Sequence, residues 1–335
     1  MEPLSLAAAL LVVLAAPAFF VLELPLLGFA LLAGGLLVAW AGSRGAAVAG
    51  AERGSAAGSG SWAGPAAGAA SGLGSGSGSG SRSAPRPPSL LRDLSLIAIG
   101  LAIVRSIPLA AELDDWSMVK FTLALGGAVA VPYVVSRWVY RDRATGFPWR
   151  GRAEETRSVD CARGAAHGGS LRSEARGGAG KRWGLLHWTW LAAVLVLGWL
   201  ILPWYFISSG VYLNWPDVDD ADLIARLFVG VGAVGIWDEL FFICTVFAVL
   251  LRHFPAWAAN LLQAVVFVSF LWELGYRAWG PLLTIPFALV QGYIFLRTHS
   301  LAYVVTVHLL FDAVVFAVLV HAHNPQLFDV FLTAP

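Results

Sequence analysis

Cysteine is almost missing from this chain: Cys161 and Cys244 are the two present in 335 residues. Two thiols cannot build a disulfide framework or a cysteine-rich metal site, so both are excluded. Charge is also scarce. Asp, Glu, Lys and Arg make up 13% of the residues, roughly half the share of an ordinary globular domain. The net charge of +1 gives no global electrostatic case for nucleic acid or an acidic partner. No internal repeat of the kind that builds many transporters is visible. A calcium loop is not spelled by Asp217, Asp219, Asp220 and Asp222, which lack its Gly and Glu; they read as a solvated helix start.

What fills the space is apolar. Hydrophobic residues are 58% of the chain and the mean hydropathy is +0.72, too apolar for a soluble domain of this length. Apolar runs occupy residues 4–22, 25–42, 94–111, 116–135, 183–206, 223–251, 256–274, 282–297 and 301–320. About 20 helical residues cross a hydrocarbon core of ~30 Å. The runs therefore predict an all-α, polytopic membrane helical bundle with about nine transmembrane helices, or eight. Trp138, Trp183, Trp188, Trp204, Trp257 and Trp279 fall near run ends, where indole rings favour the bilayer interface.

Composition divides the chain further. Residues 1–42 read as two N-terminal spans, and residues 43–92, rich in Gly, Ser and Pro, as a disordered linker. A helix pair over 93–136 precedes a loop, 137–183, with Lys or Arg at eleven positions against five acids. Its Cys161 and His167 lack a partner cluster. The core is expected over 184–322 and a short tail over 323–335. Placing the two basic segments in the cytoplasm puts the N-terminus inside and the acidic loops 112–115 and 217–222 outside. The expected localisation is an integral protein of the cell membrane, in contact with lipid.

Against this background a few ionisable groups stand out. Asp238 and Glu239 are adjacent in the middle of the 223–251 run, and His308 and Asp312 are spaced i, i+4 in the 301–320 run. That spacing sets an imidazole and a carboxylate on one helical face. Charge at such depth costs enough that a functional site is the default reading. Glu273 is the one ionisable side chain in the interior of the 256–274 run. It also stands i, i+4 to Arg277, which offers a surface pair instead.

The string Asp238-Glu-Leu-Phe-Phe242, the corner Arg252-His-Phe-Pro255, Leu296-Arg-Thr-His-Ser-Leu301 and His308-x-x-x-Asp312 together resemble the CAAX protease and bacteriocin-processing (CPBP, or Abi) family of intramembrane metalloproteases over residues 222–322. Asp238 and Glu239 match the paired acids of the first motif, and His308 and Asp312 match the third. Ile243 stands at the first motif's Arg position and Leu271 at the second motif's His position.

The resemblance implies a hydrolase that cleaves a peptide or protein substrate with carboxylate-activated water. Glu239 would activate the water, with Asp238 supporting it and His308 completing the catalytic set. It also implies a divalent metal, zinc or a harder ion such as manganese, held by Glu239, His308 and Asp312; Glu273, two residues beyond the position of the missing His, is expected to replace it as a ligand. Two other function classes stay open on the sequence. Ile243 and Leu271 suit a fold that has kept binding and lost turnover, and the buried acids with His308 would suit the relay of a proton-coupled transporter.

Overall fold

The computed structural model describes residues 3–57, 88–107, 112–149, 183–327 and 330–333, with side chains not described for 46–57. Most of the predicted linker, the basic segment 150–182 and both Cys161 and His167 lie outside the described residues.

Among the described residues, nine long helices correspond to the nine apolar runs. They are α1 (Pro3–Phe20), α2 (Pro25–Ala57), α3 (Leu90–Ser106), α4 (Asp115–Val134, continued by a π turn Val135–Tyr140), α5 (Leu185–Ser208), α6 (Ala221–Leu250), α7 (Ala256–Glu273), α8 (Pro281–Thr298) and α9 (Leu301–His323). Seven of them are long and apolar enough to cross a bilayer unaided. The other two are α3, only 17 residues long, and α8, which is diluted by Thr284, Gln291 and Arg297. Among the described residues there is no strand. Helix α2 continues past Gly42 to Ala57 because the stretch after Arg44 is rich in alanine, the strongest helix former.

One face of helix α1 is buried in the bundle. It packs on α2, α3 and α7, and Ala8, Ala9, Val12, Ala15, Ala16 and Phe19 are fully buried. Small residues let its backbone approach its neighbours, the usual solution where lipid offers no hydrophobic drive. Helix α2 faces outward, with Leu26 85% and Leu37 63% exposed. Leu185, Leu186 and Leu200 do the same on α5, which a membrane protein requires and a soluble one would not tolerate. Trp138, Trp188, Trp204 and Trp257 are exposed near their helix ends, as interfacial anchors would be.

The connections gather on two opposite faces. On one, Arg252 after α6 reaches Asp93 at the start of α3 (2.7 Å), and the chain following α4 meets the start of α9 through Leu301 N–H to Pro148 C=O (2.9 Å). On the other, Arg226 at the start of α6 joins Asp115 at the start of α4 (2.5 Å), and Asn324 donates to Val218 C=O (2.6 Å). There Asn214 also donates to Gly275 C=O (3.4 Å), and Arg277 approaches Glu23 (3.8 Å). The basic corners thus share one face and the acidic loops the other, the alternation that the charge pattern predicts. Asp114 and Asp220 cap α4 and α6 by accepting from Trp116 and Ser117 N–H and from Leu223 N–H, so these acids serve as helix starts. His323 pairs with Asp217 at 2.9 Å and His321 Nε2 meets Thr333 C=O at 3.2 Å, as helix-end groups.

Candidate active site

Helix α6 carries the paired acids, and it changes pitch where they occur. Residues Ala221–Asp238 are α-helical, and Glu239–Phe247 form a π-helical segment of nine residues, eight of them buried. Thr245 hydroxyl donates five residues back to Leu240 C=O (3.2 Å), which matches the wider turn. Such insertions are rare and tend to mark functional positions. Here aromatic packing supports it. Trp237 stacks on Phe241 with centroids 5.2 Å apart, Phe242 meets Phe267 edge-on at 4.9 Å, and Trp237 Nε1–H donates to Leu125 C=O on α4 (2.6 Å).

The result is that two adjacent carboxylates flank one imidazole. His308 Nδ1 lies 2.8 Å from Glu239 Oε1, which also accepts from Gln291 Nε2 at 2.7 Å. Gln291 donates in addition to Val304 C=O (3.3 Å), so one amide ties α8, α6 and α9 together. The other ring nitrogen, His308 Nε2, faces Asp238 Oδ2 at 3.5 Å and Asp312 Oδ1 at 3.8 Å, both beyond hydrogen-bond distance. Phe287 and Phe267 pack edge-on against the ring at 5.1 and 6.0 Å. All four ionisable groups are buried. Both oxygens of Asp238, Asp312 Oδ2 and Glu239 Oε2 have no hydrogen-bond partner. Buried polar atoms are normally satisfied, so a group of four left open marks a site that holds something else when it works.

Asp312 approaches α6 only because Gly235 faces it: a Cβ there would overlap the Asp312 carboxylate. A glycine one turn before the paired acids is the sequence signal for this approach, whereas Gln291, uncharged, carries none.

A cavity of about 920 Å³, counting its open mouth, borders Asp238, His308 and Asp312 and runs to the acidic-loop face at Glu112, Trp215 and Pro216. Glu239 does not line it. It borders instead a smaller pocket with Gln263, Ile243 and Gln291. Leu271, at the position where a His would stand in the family resemblance, lines the large cavity, and so does Glu273. Glu273 is the last residue of α7, and the charges acting on it are Arg105, Glu23 and Arg277. The chain leaves helical geometry at Gly275 (φ 108°), so Glu273 and Arg277 lack the i, i+4 helical relation, and the nearest carboxylate to Arg277 is Glu23. Tyr276 brings a hydroxyl to the cavity. Burial pushes its phenol well above the ordinary range, and the charges of Asp312 and Asp238 push the same way, so it is a neutral donor.

The geometry defines a polytopic membrane protein with a buried carboxylate–imidazole centre under an apolar cavity. Comparison then adds the family: residues 220–314 match the type II CAAX prenyl endopeptidase Rce1-like family, which bears out the resemblance read from the motifs. The match takes in α6 to the middle of α9, and so every residue named in the centre. No curated protein and no solved structure matches the chain.

Proposed function

We propose that the chain is an intramembrane endopeptidase that hydrolyses a peptide bond in the cavity beneath the acidic-loop face. One observation carries the reading: Asp238 is 1% exposed, borders the cavity and has both carboxylate oxygens without a partner. A carboxylate so placed can take a proton from a water bound beside it as the oxygen attacks a carbonyl carbon, then return that proton to the leaving nitrogen. The water-activating role that the resemblance implies for Glu239 is here given to Asp238. Glu239 becomes the group that fixes the ring of His308: by accepting from Nδ1 it aims Nε2 at Asp238 and Asp312. Tyr276 is a neutral O–H available to the oxyanion.

Among the described residues no group of three His, Cys, Asp or Glu is drawn tightly enough to hold a metal ion as it stands. The donor chemistry nevertheless fits a divalent ion, because His308 Nε2 faces Asp312 and Asp238 and carboxyl oxygens there lack a hydrogen bond. Two carboxylates and one imidazole suit zinc or a harder ion such as manganese. When bound, the ion would polarise the substrate carbonyl and lower the pKa of water. Glu239 then orients a ligand without being one, a common arrangement for metal-bound imidazole. Glu273 lies farther along the cavity and contributes to its charge. The orientation that fits the basic corners places them in the cytoplasm, with the chain in the cell membrane and lipid on its exposed leucines.

The test is a peptide library incubated with the purified full chain in nanodiscs, read by mass spectrometry alongside metal content. Cleavage by the wild type that disappears in Asp238→Asn supports the reading. An identical cleavage pattern in that variant, or no cleavage by the wild type with or without added zinc or manganese, contradicts it.

A further inference from the structure

The cavity has a charge that its family resemblance does not specify. Glu112, Asp238, Glu273 and Asp312 line it, and among the described residues no Lys or Arg does. Its one basic group among the described residues is His308, already engaged with Glu239. Arg226 is occupied at the surface by Asp115 and Asp222 (2.5 and 2.7 Å), and Arg277 faces Glu23 (3.8 Å). Arg105 and Arg277 act on Glu273 from outside the lining. The walls between the acids are apolar: Phe121, Leu227, Val231, Val234 and Leu271 among them.

Acids alone would not make a site. The second observation is that Asp238, buried to 1% exposure, and Asp312, to 6%, carry unpartnered oxygens at the floor of this same cavity. The indole Nε1 of Trp215, at its mouth, is also without a partner. Carboxyl oxygens without a hydrogen bond at the end of an apolar passage, with two more acids along it and no Lys or Arg among the described lining residues, make a low-dielectric path ready to receive a cation. Such a path concentrates opposite charge and repels its own.

We infer that the cavity takes an apolar peptide segment bearing a cationic side chain or amine beside the bond to be cut, and rejects a free C-terminal carboxylate at that place. The ligand class rests on the endopeptidase reading; the charge preference rests on the lining. A carboxylate-ended peptide would meet four acids with no Arg or Lys to receive it. A lysine side chain has the opposite fit: its methylenes lie along the leucine and valine walls while its ammonium reaches Glu273 or Glu112.

Binding separates this inference from cleavage. Fluorescent apolar peptides, identical except for Lys, norleucine or Glu at one central position and each with an amidated or free C-terminus, are titrated into the full chain in neutral-lipid nanodiscs. The Lys peptide is expected to bind at least about 10-fold more tightly than the Glu peptide, which corresponds to ~1.4 kcal/mol. Amidation is expected to strengthen binding of every member. In Glu112→Gln/Glu273→Gln the Lys preference should shrink severalfold, while Asp222→Asn, on the outer surface, should leave it unchanged.

Equal binding of all peptides, preference for Glu or a free carboxylate, or no binding of any peptide would overturn the inference. So would a Lys preference unchanged in the double variant. A lysine-selective binder that cuts nothing would leave this inference standing and defeat the endopeptidase reading. Cleavage with no charge preference would do the reverse.

Discussion

Two buried polar clusters sit in this bundle, and they are built on opposite principles. At the basic face, Asp93 is fully buried and fully engaged. Its Oδ1 accepts from Arg252 at 2.7 Å and its Oδ2 meets His253 Nε2 at 2.6 Å, while Asp142 Oδ2, which lacks a hydrogen bond, stands as an ion pair 3.6 Å from the same guanidinium. Ser136 hydroxyl and Ala144 N–H donate to Asp142 Oδ1, at 3.2 Å each. That cluster fastens α3, α6 and the strap 141–149 into one corner. In the middle of the bundle, Asp238 and Asp312 have an imidazole near them and no guanidinium, and three of their four oxygens are open. A cluster made for stability satisfies its charges, and one made for chemistry leaves them free to act.

The largest expected effect breaks the satisfied cluster. Asp93→Ala leaves Arg252 and His253 without their carboxylate and should cost about 3 to 5 kcal/mol, the range for a buried pair broken on one side. It would appear as a lowered unfolding midpoint in mild detergent. Adding Arg252→Met should recover part of the loss, because the stranded charge is gone. A single variant as stable as the wild type would remove the contrast between the clusters.

Next in size is the support of the imidazole. Glu239→Gln keeps the shape but weakens the hold on His308 Nδ1, and should lower cleavage by about 10- to 100-fold while affecting the unfolding midpoint little. Unchanged cleavage would mean that Glu239 does not orient the ring. Gly235→Ala should then cost about 1 to 3 kcal/mol by overpacking against Asp312, with activity reduced because the carboxylate is displaced. A neutral outcome would show that Asp312 can move aside. The smallest effect is expected at the surface. Asp222→Ala removes an exposed pair with Arg226, in a position where such pairs contribute about 1 kcal/mol or less.

How much of this was legible beforehand differs between the clusters. The helix count, the two faces and the polar groups of the central cluster follow from long apolar runs broken by few charges, because lipid penalises exceptions heavily enough to make each one informative. Asp238, Glu239, His308 and Asp312 do come together, as their spacing suggested. The division of labour proposed for them is not legible in the sequence, since it rests on the structure's placing Glu239 at one nitrogen of His308 and Asp238 nearer the other. Asp93 is not legible in the sequence: it lies at the first turn of a helix after a polar stretch, where a carboxylate ordinarily faces water. Its partners are 159 and 160 residues away in the chain, beyond any local pattern. Gln291 was missed because an amide in an apolar helix carries no charge to signal it.

The most direct test of the central claim is to measure stability and turnover together in Asp238→Asn. The isostere removes the charge from the open carboxylate and keeps its volume. If the central acids are held for chemistry, the unfolding midpoint should stay level or rise while cleavage of library peptides falls by about 10²- to 10⁴-fold. A midpoint that drops with cleavage retained would make the central cluster a structural knot like the one at Asp93, and would contradict the account.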